Sequence, residues 1–185
     1  MTRLERAASP VQQVELAAKL GVRVAVAESL TGGLLAGAFV EVPGASRVFS
    51  GGVVAYDTFL KHSLLEVDDE LLAERGPVDA EVARQMALGA RRACATPAAR
   101  GEIVVPAEVG LATTGVAGPD PDPATGQAVG TVWIGVSSSR GERAVLLRAT
   151  GDRQQIRRQA VDAALREFAV ELLTFEEERD RFLET

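Results

Sequence analysis

The sequence predicts a three-layer α/β/α domain, a mixed, mostly parallel sheet flanked by helices. Short apolar runs of strand length alternate with segments whose apolar residues recur at helical spacing, the pattern of layered α/β domains. The last two strand-like runs are joined by a short turn at Ser139, Arg140 and Gly141. That connection allows an antiparallel pair and no crossover, so the sheet must be mixed. With 185 residues, 46% apolar and 25% charged, the chain has the size and composition of one globular domain with a substantial core.

Each element has a local reason. Ser9 and Pro10 open a helix as N-cap and first helical residue, Val14, Ala17 and Ala18, with Val11 beside them, form its apolar stripe, and Gly21 stops it. Residues 22–27 read as a buried strand, 33–40 as an apolar helix, 42–46 as a loop and 48–56 as a second strand. Short helices are expected at 59–65 and 69–74, and a longer one from the Asp79 cap to about residue 92. Residues 96–106 read as a flexible connector and 109–113 as a strand. Residues 114–119 read as a glycine-rich loop containing Thr114 and Gly115, and 120–127 as an exposed loop. Strands at 129–137 and 143–149 precede a long helix capped by Asp152. One domain spans 1–185, with residues 174–185 as a charged tail that frays or docks on a partner subunit.

Composition excludes several functions. Twenty Lys and Arg against 26 Asp and Glu give a net charge of −6, which disfavours direct nucleic-acid binding. A single cysteine, Cys94, and a single histidine, His62, leave no internal disulfide and no cysteine or imidazole set for a metal. Charged residues interrupt the N-terminus where an export signal needs an apolar stretch, and no run approaches a membrane span, so a cytoplasmic protein is expected. Neither a P-loop nor a dinucleotide-binding glycine motif is present.

The scarce residue types are more telling. Lys19 and Lys61 are the only lysines beside 18 arginines, and the only tyrosine, Tyr56, lies with Lys61 and His62 inside seven residues. Arginine cannot act as a base in a protein, whereas a desolvated lysine can. Ser29 falls where a strand gives way to a helix, and the N–H groups of Thr31, Gly32 and Gly33 are expected to be free there for an anion or oxyanion. From local sequence alone, Ser29 or Thr31 reads equally well as a helix N-cap, Tyr56 as a packed ring, and Lys61 with His62 as a surface pair. If Ser29 is a nucleophile, its base is either His62 or Lys61. Gly44, Ala45 and Ser46, and the loop containing Thr114 and Gly115, are two further places suited to a phosphate, or simply two connectors.

Six ordered motifs then carry a resemblance: AESLTGG (27–33), VPGAS (42–46), FSGGVVAYDTFLK (49–61), TTGVAGPDP (113–121), VGTVWIGV (129–136) and GDRQQIRRQAV (151–161). Together they resemble the CinA C-terminal domain family of nicotinamide-nucleotide amidohydrolases, over residues 11–173. The resemblance implies deamidation of nicotinamide mononucleotide to nicotinic acid mononucleotide and ammonia, in pyridine-nucleotide salvage. It implies Ser29 as nucleophile, Tyr56 and Lys61 as acid–base partners, and no metal or cofactor. Thr31, Gly32, Gly33, Gly44, Ala45, Ser46, Thr114 and Gly115 are the expected substrate contacts, and a homodimer the expected assembly. Gln127 and Ala128 replace the family's usual residues before Val129, in a segment expected to act as a lid. The chain resembles the stand-alone form, without an N-terminal phosphohydrolase-like domain. Two other functions remain open: a non-catalytic nucleotide-binding or interaction module tied to competence and DNA-damage response, and hydrolysis of a different amide.

Overall fold

The computed structural model describes residues 7–97 and 103–184. In chain order the elements are α1 (Pro10–Leu20), β1 (Val24–Glu28), α2 (Leu34–Val40), β2 (Phe49–Val54), α3 (Thr58–Leu65), α4 (Asp69–Arg75) and α5 (Ala80–Ala93). They continue with β3 (Thr96–Pro97), β4 (Val104–Val105), β5 (Val109–Gly115), β6 (Thr131–Ser138), β7 (Gly141–Arg148) and α6 (Arg153–Leu183). Side-chain caps hold most helix starts, the expected Ser9, Asp79 and Asp152 together with Asp57 and Asp68. Ser9 forms a capping box with Gln12, Asp152 forms one with Gln155, and the Asp57, Asp68 and Asp79 carboxylates accept N–H groups of their own first turns.

The main sheet runs β2-β1-β5-β6-β7. Strand β1 is parallel to both neighbours, whereas β6 is antiparallel to β5 and to β7. Alternation along β1 divides the core. Val24 and Val26 pack with α1, α2 and α6 residues, including Val14, Phe39 and Phe168, while Ala25 and Ala27 pack with Met86, Ala87 and Ala90 of α5. Small residues on the second face let α5 lie close to the strands. A Cβ on Gly110 would meet the carbonyl oxygen of Ala87, and one on Gly135 that of Ala83. Only glycine permits that approach.

Three expectations change. Thr114 and Gly115 are not in a loop, because β5 continues through them and pairs them with Trp133 and Val132. The connector at 96–106 contains a small antiparallel hairpin of β3 and β4, with residues 98–102 of that expectation outside the described residues. The charged tail does not leave the helix, since α6 runs on to Leu183. Arg140 stacks over Phe175 at 4.3 Å, and Arg140 and Arg143 both pair with the buried Glu171, so the helix is held beyond its apolar stretch. Among the described residues, no helix is long and apolar enough to cross a membrane.

Strands β2, β1 and β5 run together, so their C-terminal ends lie side by side. The crevice beyond such ends is the habitual ligand position of open α/β sheets.

Candidate active site

Ser29 is the first residue past β1, and its N–H donates to the carbonyl of Thr113 on β5 at 2.9 Å. The turn behind it is held from two sides. Inside, the fully buried Glu28 carboxylate accepts the N–H groups of Gly33 at 2.9 Å, Leu35 at 3.0 Å and Ala36 at 2.7 Å. From α6, the Arg157 guanidinium donates to the carbonyls of Leu30 at 2.9 Å and Thr31 at 2.7 Å. Gly32 and Gly33 carry φ of 57° and 99°, which the chain needs to turn back into α2.

This arrangement corrects the expected anion cradle. The Gly33 N–H is taken by Glu28 and the Gly32 N–H by the Ser29 carbonyl, at 3.1 Å. The Thr31 hydroxyl bonds the Thr113 hydroxyl at 2.7 Å inside the core. An internal carboxylate at a helix start satisfies the donors that an external anion would otherwise use. Neither Ser29 nor Thr31 is the N-cap of α2, which begins after Gly33. Among the described residues, the N–H groups of Leu30 and Thr31 are the donors of this turn with no protein acceptor.

Lys61 arrives from α3. Asp57 caps that helix, and the helical spacing from the cap turns the Lys61 side chain under the strand ends, where it is 0% exposed. Its Nζ lies 3.1 Å from the Ser29 Oγ and donates to the Ala55 carbonyl at 2.8 Å. Burial lowers its pKa from 10.5 to about 8, although the Asp57 carboxylate pulls it back upward. At pH 7, about one Lys61 in ten is then neutral, against roughly one in three thousand for an ordinary lysine.

Tyr56, Thr114, Gly115, Asp122 and Arg153 line one open cleft of about 230 Å³ with Ser29 and Lys61. Tyr56 is 60% exposed, and its hydroxyl accepts a hydrogen bond from Arg153 at 2.9 Å rather than meeting Ser29 or Lys61. The Thr114 hydroxyl donates to the Pro77 carbonyl at 2.5 Å. A larger depression of about 600 Å³ between the α3–α4 connection, α5 and the start of β7 is lined by charged residues such as Glu81, Arg84 and Arg92. It holds no activated nucleophile, so the smaller cleft is the candidate active site.

Gly44, Ala45 and Ser46 do not join it. They precede β2 and line a separate depression with Val40, Pro43 and Phe49, at the strand end opposite Ser29. His62 is exposed, with Nδ1 against the Val67 carbonyl at 2.8 Å, so Lys61 rather than His62 is the group presented to Ser29. Sequence reasoning missed Glu28, Asp57, Asp122, Arg153 and Arg157. Asp57 is readable as a cap three residues after the strand. Nothing local distinguishes Arg153 or Arg157 among 18 arginines.

A family model described as the CinA C-terminal domain matches residues 7–172. The chain belongs to that family. Among CinA relatives, it is 46% identical to a "CinA-like protein" of Frankia casuarinae over 142 residues, covering 77% of this chain and 30% of the relative. It is 39% identical to a "putative competence-damage inducible protein" of Desulforudis audaxviator over 152 residues, 82% of this chain and 34% of that one. The chain thus spans about a third of the length of these relatives. Among solved structures, a CinA superfamily protein from Klebsiella pneumoniae superposes with a TM-score of 0.78 at 26% identity, covering 93% of this chain and 98% of that one. A competence/damage inducible protein from Agrobacterium tumefaciens gives 0.75 at 32% identity, with 93% and 96% covered. The three-layer fold is therefore that of CinA domains.

Proposed function

We propose that this CinA domain is a serine amidohydrolase that deamidates nicotinamide mononucleotide, with Ser29 as nucleophile and Lys61 as its base. The observation that carries this reading is the 3.1 Å approach of a buried amine, with a pKa near 8, to the hydroxyl of Ser29. A neutral amine has two N–H groups and one lone pair. With one N–H on the Ala55 carbonyl, the lone pair is free to accept the Ser29 proton.

The chemistry then balances without a metal. Lys61 takes the Ser29 proton as Oγ attacks the carboxamide carbon, and the carbonyl electrons move onto oxygen. The N–H of Leu30, the residue after the nucleophile and itself on the cleft wall, is the donor available to that oxyanion. When the tetrahedral intermediate collapses, the C–N bond breaks and Lys61 returns the proton to the leaving nitrogen, which departs as ammonia. Water next gives a proton to Lys61 and attacks the nicotinoyl ester. Collapse releases the carboxylic acid and restores the Ser29 hydroxyl. Because Ser29 and Lys61 are in direct contact, no relay through Tyr56 is required, and the Tyr56 hydroxyl is left to work on the substrate.

The test is ammonia release from nicotinamide mononucleotide by the purified full chain. Ser29→Ala and Lys61→Arg are each expected to lower kcat by at least about 1000-fold, since one removes the nucleophile and the other installs a permanent cation. Turnover by Ser29→Ala at the wild-type rate overturns the assignment. Full cellular function of that variant, with nucleotide binding and no turnover by the wild type, supports an interaction module instead.

A further inference from the structure

We propose that Arg153, steadied by Tyr56 and Gly118, selects amide substrates that carry a phosphate monoester. Arg153 opens α6 and reaches across the cleft mouth. Its Nη1 donates to the Gly118 carbonyl at 2.6 Å and its Nη2 to the Tyr56 hydroxyl at 2.9 Å. Both acceptors are neutral, and among the described residues no carboxylate pairs with this guanidinium, unlike those of Arg23, Arg140 and Arg143. Of the five N–H donors of an arginine, two are engaged here, which leaves three and an uncompensated charge on the wall of the cleft that holds Ser29.

The two bonds fix the direction of the fork. Planar guanidinium donors match the oxygens of a phosphate, and holding them in place beforehand reduces the ordering cost on binding. The Tyr56 oxygen accepts from Arg153, so its own proton is free to donate to the same anion. The helix end itself is not the binding element, because the Asp152–Gln155 capping box already satisfies it. The one carboxylate on the cleft wall, Asp122, has Oδ1 occupied by the Ala124 N–H, the Thr125 N–H and the Thr125 hydroxyl. Its charge is drawn toward its own loop.

This inference rests on the amidohydrolase reading for its substrate, and the experiment separates the two. Ammonia release is measured with nicotinamide mononucleotide and with nicotinamide riboside, its dephosphorylated form, for wild type, Arg153→Gln, Arg153→Lys and Tyr56→Phe. Binding of ribose 5-phosphate, and of ribose as control, is measured in parallel. The ratio of kcat/KM for the mononucleotide to that for the riboside is expected to fall between about 10- and 100-fold in Arg153→Gln, mainly through KM. Arg153→Lys is expected to recover part of the loss and Tyr56→Phe to show a smaller drop. Ribose 5-phosphate binding is expected to weaken by a similar factor in Arg153→Gln. An unchanged ratio together with unchanged ribose 5-phosphate binding overturns the proposal while leaving deamidation intact. Arg153-dependent binding of ribose 5-phosphate without any ammonia release upholds Arg153 as the phosphate reader and overturns the amidohydrolase reading instead.

Discussion

Replacing Lys61 by methionine tests the buried amine through stability rather than turnover. Lys61 has a pKa of about 8 when folded and 10.5 as its ordinary value. Below pH 8 both folded and unfolded chains hold the proton, and the folded protein bears the full cost of burying an ammonium. Between about pH 8 and 10.5 the unfolded chain holds more of the proton, so stability rises with pH through that window. Evaluated from these two values, wild type gains about 2.5 kcal/mol on going from pH 7 to pH 10. Lys61→Met keeps an unbranched, flexible chain, one atom shorter because the amine is gone, and has no such titration. Its lost hydrogen bond to the Ala55 carbonyl costs stability at both pH values and cancels in the comparison. Urea unfolding of both proteins at pH 7 and pH 10 reads the difference of differences directly. Wild type is expected to strengthen against Lys61→Met by about 2 to 3 kcal/mol at the higher pH. A flat difference refutes the claim that burial has displaced the lysine.

Other substitutions probe the supports of the site. Asp57→Asn keeps a helix cap but removes the charge that holds the Lys61 pKa up, so that pKa falls. The acidic limb of kcat/KM against pH is therefore expected to move to lower pH, and an unmoved limb or an upward shift contradicts the assignment of that limb to Lys61. Glu28→Gln places an amide among three N–H donors that now bond a carboxylate, at a cost of about 2–4 kcal/mol measured by urea unfolding. A loss below about 0.5 kcal/mol excludes Glu28 as the internal anchor of the turn. Gly135→Ala drives a methyl into the α5 backbone at Ala83 and is expected to destabilise by about 1–3 kcal/mol, with no effect expected if α5 and the sheet were loosely packed.

Much of this was legible in residue order. Strands and caps follow from short apolar runs and from Ser9, Asp79 and Asp152, whose side chains compete for backbone N–H groups wherever they stand. Lys61 is noticeable because this chain, Lys19 apart, uses arginine for positive charge, and Tyr56 because it is the only tyrosine. The misreadings have physical causes. Turn N–H groups were expected to be free because a buried glutamate was not expected to fold back onto its own helix start. Gly44, Ala45 and Ser46 look suited to a phosphate by composition, yet in parallel strands the segment entering β2 lies at the opposite end from the residue leaving β1. The parallel order of the first strands could have revealed that. Thr114 and Gly115 read as loop because glycine and threonine beside a Gly-Pro pair mimic a turn, while pairing with β6 extends the strand. Arg153 and Arg157 act only through groups 35 to 127 positions away in the chain, a separation that local pattern does not report.

The account rests on a lysine that loses its proton near neutral pH beside Ser29. The protein has only two lysines, so 13Cε-lysine labelling yields two resonances to follow by NMR across pH 6 to 11, and Lys61→Arg identifies which is which. The account predicts that the Lys61 resonance titrates with a midpoint at about 8. A midpoint near the ordinary lysine value of about 10.4 contradicts it, because Ser29 would then face an ammonium rather than a base near neutral pH.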